Sequence, residues 1–338
     1  KLEIKENYKE IRPHSFYLHL TYDCNLRCSY CYNRFIRKNN HATLSTNSWI
    51  KILDKILPTA RSFVLTGGEC FLRQDIYDIA KYIKDYDSTI RLSCITNGMH
   101  DFKQQSIQDV VKLLNSVSFS CDSISREGER KGFNARLFRE NIEYIRKNYP
   151  NLAITVSSTY TKHNYADLLE IESFCKDNLC WFTRNIVIPE TTEDIDLMPT
   201  LDEVYENIIS KSSNDETKQL SSPRIRCGAG KEIWSIDPVG NVYPCQSLHY
   251  DNMRMGNLLS DNLSDIKYFA SDEQCLPSVE DLTVCSKCDV KYICGGGCLA
   301  TAYHINGDKP GRNHLTCALN HANSVAILKS LNNRLTDI

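Results

Sequence analysis

The 338-residue chain has almost no net charge, because its 40 lysine and arginine residues nearly balance its 42 aspartate and glutamate residues, and the formal charge is −2. This balance excludes the strongly basic surface typical of nucleic-acid binding, and it excludes an acidic disordered tail. No stretch approaches the run of about 20 apolar residues that a membrane-spanning helix needs, and no signal-peptide pattern is visible at the first residues. The sequence therefore predicts no nucleic-acid partner and no membrane partner.

Cysteine, by contrast, is abundant, with 16 residues in the chain. Disulfide frameworks stabilise mainly small secreted domains that lack a sufficient core. A chain of this length, with 41% hydrophobic residues, forms a core without them. Disulfides are therefore disfavoured, and the spacing of the cysteines has to distinguish structural zinc from iron–sulfur clusters.

Six short β-rich segments alternate with amphipathic segments over the first part of the chain. The predicted strands are Ser15–Thr21, Arg61–Thr66, Thr89–Thr96, Ser116–Cys121, Ala153–Thr159 and Trp181–Ile188. The predicted helices are Ser48–Leu57, Ile76–Asp85, Ile107–Leu114, Leu137–Lys147, Tyr165–Lys176 and Leu201–Lys211. Such alternation predicts an α/β fold with parallel strands and right-handed crossovers. Six repeats predict a partial (β/α)6 barrel, with its chemistry at the carboxyl ends of the strands.

The alternation stops at Ser212–Ser222, a polar segment without apolar periodicity that we interpret as a linker. Beyond it, Trp234–Gln246 predicts a β-hairpin whose turn residues include Asp237 and Gly240. Cys317–Leu331 predicts a closing helix. The predicted organisation is an extension at 1–14, the barrel at 15–211, the linker at 212–226 and, at 227–338, a smaller cysteine-rich iron–sulfur domain with a hairpin and short helices.

The first cysteine cluster, Cys24, Cys28 and Cys31, follows the first predicted strand. Three thiolates this close in sequence converge easily on one metal site. A structural zinc requires four ligands, however, and no fourth cysteine or histidine stands in the same segment. An iron–sulfur cluster held by three cysteines leaves one iron open to bind another molecule. The spacing therefore favours a cluster with an open iron.

This C-x3-C-x2-C spacing, after the first strand of a six-fold partial barrel, resembles the radical S-adenosylmethionine (SAM) enzymes. In that family the position of Tyr30, just before the third cysteine, packs near the adenine of SAM. The segment Thr66–Glu69 (TGGE) resembles the turn that holds the SAM amino group. Gly67 and Gly68 permit close backbone approach, and Glu69 can accept a hydrogen bond from an ammonium.

Two further strand ends, Ile95–Gly98 and Ser118–Asp122, resemble family positions that line the ribose and the carboxylate of SAM. The resemblance implies SAM contacts from Thr96, Asn97, Ser120 and Asp122, and from Arg130 or Arg136 in the loop that follows. The implied cofactors of the barrel are thus SAM and one [4Fe–4S] cluster.

A second cysteine series comprises Cys227, Cys245, Cys285, Cys288, Cys294, Cys298 and Cys317. Its spacing resembles the SPASM domain that follows the barrel in many radical SAM maturases. A zinc ribbon is the alternative interpretation, because four of these residues, Cys285, Cys288, Cys294 and Cys317, suffice in number for a tetrahedral site. The order of the series and the glycines at 295–297 favour the cluster domain.

The resemblance implies two auxiliary [4Fe–4S] clusters, which makes three clusters in all. One would be held by Cys285, Cys288, Cys294 and Cys317, and the other by Cys227, Cys245 and Cys298. The second set has only three thiolates, so its cluster either takes a ligand from elsewhere or exposes one iron. Cys275 is the nearest candidate ligand. The remaining cysteines, Cys70, Cys94, Cys121, Cys175 and Cys180, are expected to be buried thiols.

The resemblance also implies the activity: reductive cleavage of SAM to a 5′-deoxyadenosyl radical that abstracts hydrogen from a substrate. Because SPASM relatives act mostly on peptides or proteins, we expect a thioether, carbon–carbon or carbon–oxygen crosslink in a ribosomally made peptide. An external one-electron donor and a reducing, cytoplasmic setting are expected as well. Only Lys1–His14 precedes the first strand, so we expect either a separate leader-binding protein or direct recognition of the peptide by the barrel.

Other functions stay open as alternatives. Sulfatase-activating relatives use an aspartate directly after the second cysteine of the SPASM domain, where this chain has Gln246, and this departure disfavours their activity. A non-enzymatic iron–sulfur redox protein needs no SAM pocket, so the TGGE segment disfavours that alternative. A zinc-binding interaction module would leave the barrel unexplained.

Overall fold

Strands and helices alternate through the first part of the chain in a computed structural model, which describes residues 13–34, 42–189, 191–209, 225–266, 277–306 and 314–336. The strands are β1 (Ser15–Thr21), β2 (Arg27–Cys28), β3 (Ser62–Gly67), β4 (Arg91–Thr96), β5 (Ser116–Ser120), β6 (Arg130–Lys131), β7 (Ala153–Tyr160), β8 (Trp181–Ile186), β9 (Ile233–Ile236), β10 (Asn241–Tyr243) and β11 (Gly256–Asn257).

The α-helices are α1 (Thr46–Ile56), α2 (Ile76–Tyr86), α3 (Gln105–Val111), α4 (Ala135–Asn148), α5 (Tyr165–Asp177), α6 (Thr192–Ile195), α7 (Leu201–Val204), α8 (Lys291–Cys294), α9 (Leu299–Asn306) and α10 (His314–Thr336). Short 3-10 turns lie at Leu57–Thr59, Cys70–Leu72, Asp251–Met253, Leu263–Asp265 and Cys285–Lys287. The six predicted strands are confirmed. Within the predicted helix Leu201–Lys211, Leu201–Val204 is α-helical and Tyr205–Ile209 forms a π turn, and its last two residues lie outside the described residues.

Helix α1 illustrates why these segments fold as they do. The Ser45 hydroxyl caps its first turn by accepting the Ser48 backbone N–H at 3.2 Å. Its side chains Trp49, Ile52 and Ile56 share one face and are fully buried in the main core. This apolar stripe therefore holds the helix against the sheet, and packing rather than helix propensity stabilises it.

One nine-stranded sheet runs in the order β11-β10-β9-β1-β3-β4-β5-β7-β8. The six predicted strands are parallel neighbours in this sheet, as the sequence predicts. Among the described residues no strand joins β8 to β11, so the barrel is open. The two-stranded ribbon of β2 and β6 stands apart from the sheet. The interpreted linker, Ser212–Ser222, and Cys275 lie outside the described residues.

The predicted hairpin is present as β9 and β10, and it extends the sheet of the barrel. Strand β9 pairs in parallel with β1, with Trp234 opposite Phe16. Both rings are fully buried, and they pack edge to face with their centroids 6.2 Å apart. The boundary predicted at residue 227 therefore divides one sheet, since the hairpin buries its apolar face against the exposed edge of the barrel.

No helix among the residues that the structure describes is long and apolar enough to cross a lipid bilayer.

We expect Trp234→Ala to lower the free energy of unfolding by about 3–5 kcal/mol, because truncating a fully buried aromatic side chain leaves a cavity. Tyr86→Ala, at a position 56% exposed at the end of α2, is the control and should cost no more than about 0.5 kcal/mol. Chemical denaturation of the cluster-loaded protein measures both. Equal costs for the two variants would show that the hairpin does not share the barrel core.

Candidate functional site

The carboxyl ends of the parallel strands open into one cavity of about 1330 Å³. Eleven of the predicted site residues line it: Cys24, Cys28, Tyr30, Cys31, Gly67, Gly68, Thr96, Asn97, Ser120, Arg130 and Cys298. The chemistry-bearing residues therefore lie at the end of the strands where the α/β alternation predicts them.

The loop that carries the first cysteine cluster is attached to the rest of the fold at two places. Strand β2 pairs with β6, which brings Cys28 opposite Arg130. Leu26, in the same loop, is buried in the main core. The loop is therefore part of the folded core rather than an independent metal-binding segment, and the three thiols stand half-buried at the cavity wall.

Hydrogen-bond donors point at the sulfur atoms of this loop. Cys24 Sγ accepts the Leu26 backbone N–H at 3.4 Å and the Asn97 side-chain amide at 3.6 Å. Burial raises the pKa of Cys28 to about 11, so its thiol stays protonated at neutral pH unless a cation binds the sulfur. Such a thiol is a poor nucleophile. The raised pKa therefore disfavours covalent catalysis at Cys28, and the three neighbouring thiols at the cavity wall fit the ligand set of an iron–sulfur cluster.

The two glycines of the TGGE turn lie against the segment that leads into the cysteine loop. A Cβ on Gly67 would lie 2.2 Å from the Thr21 carbonyl oxygen, and one on Gly68 would lie 2.2 Å from that of Asp23. The backbone N–H groups of Gly68 and Glu69 donate to these same carbonyls, at 2.7 and 2.8 Å. The two glycines therefore permit close packing within the chain itself, between the TGGE turn and the backbone just before the cysteine loop.

Glu69 is fully buried and joins the ends of two strands. Its carboxylate accepts the Asn97 backbone N–H at 2.7 Å, the Thr96 hydroxyl at 2.9 Å and the Phe71 backbone N–H at 3.2 Å. Burial raises its pKa to about 7, although these hydrogen bonds oppose the shift. Glu69 is not among the residues that line the cavity. In the structure Glu69 stabilises the TGGE turn through these hydrogen bonds. Its contact with the amino group of SAM stays a prediction.

Asp122 occupies a comparable position after β5 and binds three groups. Its carboxylate forms an ion pair with Arg130, at 3.0 Å from Nε, and accepts the Thr159 backbone N–H at 2.9 Å. The Tyr30 hydroxyl donates to Oδ2, the same oxygen that pairs with Arg130 Nε, and Arg130 lies over the Tyr30 ring, with Cζ 5.6 Å from the centroid. Burial first, and then this carboxylate, raise the pKa of Tyr30 well above its ordinary value. Asp122 thereby fixes two side chains that do line the cavity.

The structure separates the two candidate arginines. Arg130 is nearly buried, with 10% of its side chain exposed, and lines the cavity. Arg136 is 85% exposed and pairs with Glu140 one turn along α4. The expectation that Arg136 contacts SAM is therefore not supported, because α4 turns its first residues outward.

Three cysteines of the second series, Cys227, Cys245 and Cys298, lie near one another, and one of them lines the same cavity. Burial raises the pKa of Cys245 to about 12, with smaller contributions from the nearby thiols of Cys298 and Cys227. Cys245 Sγ accepts the Ser247 backbone N–H at 3.3 Å. Cys298 lines the cavity. This group of neighbouring thiols, with an N–H donor at Cys245, fits an iron–sulfur cluster.

The remaining cysteines of the series lie farther from the cavity, on short elements and on the long last helix. Cys285 begins a 3-10 turn, Cys294 ends α8, and Cys317 lies on α10, which packs against α8. The sulfur of Cys288 lies within 4.8 Å of side-chain ligand atoms of Asp289 and His321. None of these thiols lines the cavity that the described residues enclose.

The cysteines outside both sets divide by burial. Cys70, Cys94, Cys121 and Cys175 are at most 1% exposed, which confirms the expectation of buried thiols. The sulfurs of Cys70 and Cys94 lie 3.1 Å apart. Cys180 is only half-buried and lines the cavity, so for this residue the expectation is wrong.

The sequence analysis missed two walls of the cavity. One wall is strand β8, whose residues Trp181–Ile186 all line it. The other is one face of α10, with Thr316, Leu319, Asn320 and Asn323. The spacing of these four residues is typical of one face of a helix. No local sequence pattern, however, indicates which part of the fold that face contacts.

Comparison with known protein families identifies both parts of the chain. The Radical SAM superfamily model matches residues 18–175, and the model of the SPASM iron–sulfur cluster-binding domain matches residues 227–289. The chain therefore contains a radical SAM domain followed by a SPASM domain. These two domains are of the kinds that bind SAM and iron–sulfur clusters. The cavity is lined by the three cysteines of the first domain and by Cys298, which follows the matched part of the second.

Radical SAM relatives extend the likeness over most of the chain. The mycofactocin maturase MftC of Mycobacterium tuberculosis (strain CDC 1551 / Oshkosh) is 25% identical over 312 residues, which cover 84% of this chain and 78% of the relative. The solved structure of anSMEcpe with bound AdoMet has a TM-score of 0.73 at 17% identity, covering 96% of both chains. Streptococcus suis SuiB bound to the precursor peptide SuiA has a TM-score of 0.63 at 16% identity, covering 90% and 76%. The two structures show that the fold is shared.

We expect Gly68→Ala to weaken both iron and SAM binding of this radical SAM protein at least about tenfold, because its Cβ would displace the Asp23 carbonyl and the loop behind it. Gly128→Ala is the matched control: Gly128 has a φ of +61°, but a Cβ added there would have nothing within 4 Å. It introduces backbone strain without a collision. Iron content and a SAM titration measure both variants, and wild-type binding in Gly68→Ala would contradict the packing argument.

We expect stability to fall as pH rises from about 4.5 to 7, because the native state keeps the Glu69 proton up to about pH 7 while the unfolded chain releases it near 4.5. Glu69→Gln should flatten this slope. Glu140→Gln, which alters a glutamate on the surface of α4, should retain it. Calorimetric Tm values across this pH range provide the measurement, and parallel profiles for wild type and Glu69→Gln would exclude the assignment.

Proposed function

We propose that this chain is a radical SAM enzyme that modifies a peptide, and that its product is a thioether, carbon–carbon or carbon–oxygen crosslink. The observation that carries this proposal is a cavity of about 1330 Å³ that is lined by both the first cysteine cluster and Cys298. Small-molecule sites usually enclose roughly 300–1,000 Å³. The volume includes the space that the barrel cluster and SAM would fill, and its excess over this range supports a substrate larger than a small molecule.

Cys24, Cys28 and Cys31 would hold the cluster next to SAM. When bound, that cluster supplies the electron that cleaves SAM reductively and so starts hydrogen abstraction. The residues of the chain itself would position SAM. Asp122 holds the Arg130 guanidinium, where it can meet the carboxylate of SAM, and the Tyr30 ring beneath it.

We propose three [4Fe–4S] clusters in total. Cys285, Cys288, Cys294 and Cys317 would hold one auxiliary cluster. Cys227, Cys245 and Cys298 would hold the other, nearer to the cavity, where its fourth iron could meet a substrate group. This position, beside the substrate, suits a cluster that accepts the electron released when the product radical is oxidised. An external one-electron donor would supply the barrel cluster, in the reducing cytoplasm.

The relatives support a peptide as the substrate. MftC is named a maturase, and SuiB has been solved with a precursor peptide. The sulfatase-activating alternative is weaker, because Gln246 lines the cavity where those relatives have an aspartate, and an amide does not serve as a proton acceptor. A separate leader-binding protein is part of the proposal as a partner that would present the peptide.

We expect the anaerobically reconstituted, reduced protein to form 5′-deoxyadenosine and to remove two hydrogen atoms from a precursor peptide. Short peptides encoded beside its gene are the first to test, with mass spectrometry as the readout. The triple variant Cys24→Ala, Cys28→Ala, Cys31→Ala should lose both activities and the iron of one cluster.

Cys180→Ala serves as the cysteine control, because Cys180 belongs to neither ligand set, and it should retain the full iron content. Absence of SAM binding by iron-replete wild-type protein would overturn the enzyme assignment. SAM cleavage without conversion of any peptide would overturn the peptide proposal and leave the radical chemistry in place.

A further inference from the structure

Strand β8 ends the sheet on the side opposite the hairpin. It pairs in parallel with β7, from Trp181 opposite Thr155 to Ile186 opposite Tyr160, without a bulge. No strand among the described residues pairs with its other side. One side of β8 is therefore an unpaired row of backbone groups in the part of the chain that the structure describes.

The hydrogen bonds show which residues of β8 face this open edge. Just beyond the strand, the Val187 backbone N–H donates to the Tyr160 carbonyl at 3.1 Å. In a regular strand, the backbone groups of successive residues point alternately to the two sides. The backbone groups of Trp181, Thr183 and Asn185 therefore face β7, and those of Phe182, Arg184 and Ile186 face outward.

This edge lacks the features that usually prevent pairing. Its sequence, Trp-Phe-Thr-Arg-Asn-Ile, is rich in strand-forming residues and contains neither proline nor lysine. Its one charge is compensated, because the Arg184 guanidinium pairs with Glu172 of α5 and lies 5.2 Å from the centroid of the Phe182 ring. Nothing in the strand itself therefore opposes the addition of another strand.

The open edge is continuous with the cavity of the proposed active site. Residues from both faces of β8 line that cavity, which means that it extends around the edge of the strand. The same cavity is lined by the α10 face that carries Thr316, Asn320 and Asn323. An extended chain in this cavity would therefore have both the backbone groups of β8 and these polar side chains within the space that it occupies.

We propose that the peptide substrate binds as an additional β-strand along the open edge of β8. The proposal rests on the proposed function and specifies how that site takes its substrate. Six residues of β8 span about 20 Å, at about 3.3 Å per residue. A paired peptide segment therefore reaches the carboxyl ends of the strands, where the residue to be modified enters the cavity next to the cysteine loop.

Strand addition recognises backbone more than side chains, with alternate side chains of the peptide providing specificity. At the start of β8, Trp181 lines the cavity and is 59% exposed. An aromatic or β-branched side chain of the peptide would pack against it as a cross-strand neighbour. The substrate class is therefore an extended peptide with such a residue several positions from the modified one.

The test uses the precursor peptide converted in the assay above, synthesised as a series with one backbone N-methyl group at successive positions. N-methylation removes a donor and blocks strand pairing on that side. We expect KM to rise by about fivefold or more at every second residue of the paired segment, and by less than about twofold at the residues between. KM values without this alternation would overturn the proposal.

A pair of variants tests the same edge from the enzyme side. Arg184→Pro removes an outward N–H, and edge strands tolerate proline. Arg184→Ala removes the side chain and its ion pair but keeps the N–H. We expect KM for the peptide to be about fivefold higher in the proline variant than in the alanine variant, with Tm and iron content compared to exclude misfolding. Equal KM values would contradict strand pairing.

Hydrogen exchange supplies a readout that needs neither variant. The amides of Phe182, Arg184 and Ile186 should exchange rapidly in the SAM-bound enzyme and slowly once the peptide is added. Slow exchange without peptide would mean that another part of the chain covers the edge, and this would overturn the proposal. Failure of every peptide in the conversion assay would instead overturn the proposed function itself, so the two failures are distinguishable.

Discussion

The contact between the TGGE turn and the residues before Cys24 is the constraint on which the rest of the site depends. Two backbone hydrogen bonds, to the carbonyls of Thr21 and Asp23, join the end of β3 to the start of the cysteine loop. They form only because Gly67 and Gly68 lack a Cβ. The loop thus receives its position from the sheet, and the thiols are held at the carboxyl end of β3.

Buried carboxylates extend this rigidity from strand to strand. Glu69 joins the end of β3 to the end of β4, and Asp122 joins the end of β5 to Arg130 and to Thr159 on β7. Neither lines the cavity. Their burial raises the free energy of the charged forms, and the surrounding N–H groups and the guanidinium offset part of that cost. The side chains that do face the cavity are therefore oriented by groups just behind it.

Much of this arrangement could be predicted because it is encoded locally. Alternating apolar patterns predict the six parallel strands, and the motif at Cys24–Cys31 predicts an iron–sulfur loop at their carboxyl ends. The choice between Arg130 and Arg136 could not be made in the same way. Both follow the same strand, and only the pairing of β2 with β6 turns the first inward while α4 turns the second outward.

Residue type and spacing were enough to specify the order of strands along the chain, the two cysteine series and the chemistry they can support, because local patterns express these directly. Three other features emerged only in the folded chain: the hairpin joins the barrel sheet beside β1, Cys298 shares a cavity with the first cluster, and β8 keeps an open edge beside α10 within the described residues. These features depend on which surfaces meet across long sequence separations. Burial and backbone pairing determine which surfaces come into contact, and no local sequence pattern indicates these contacts.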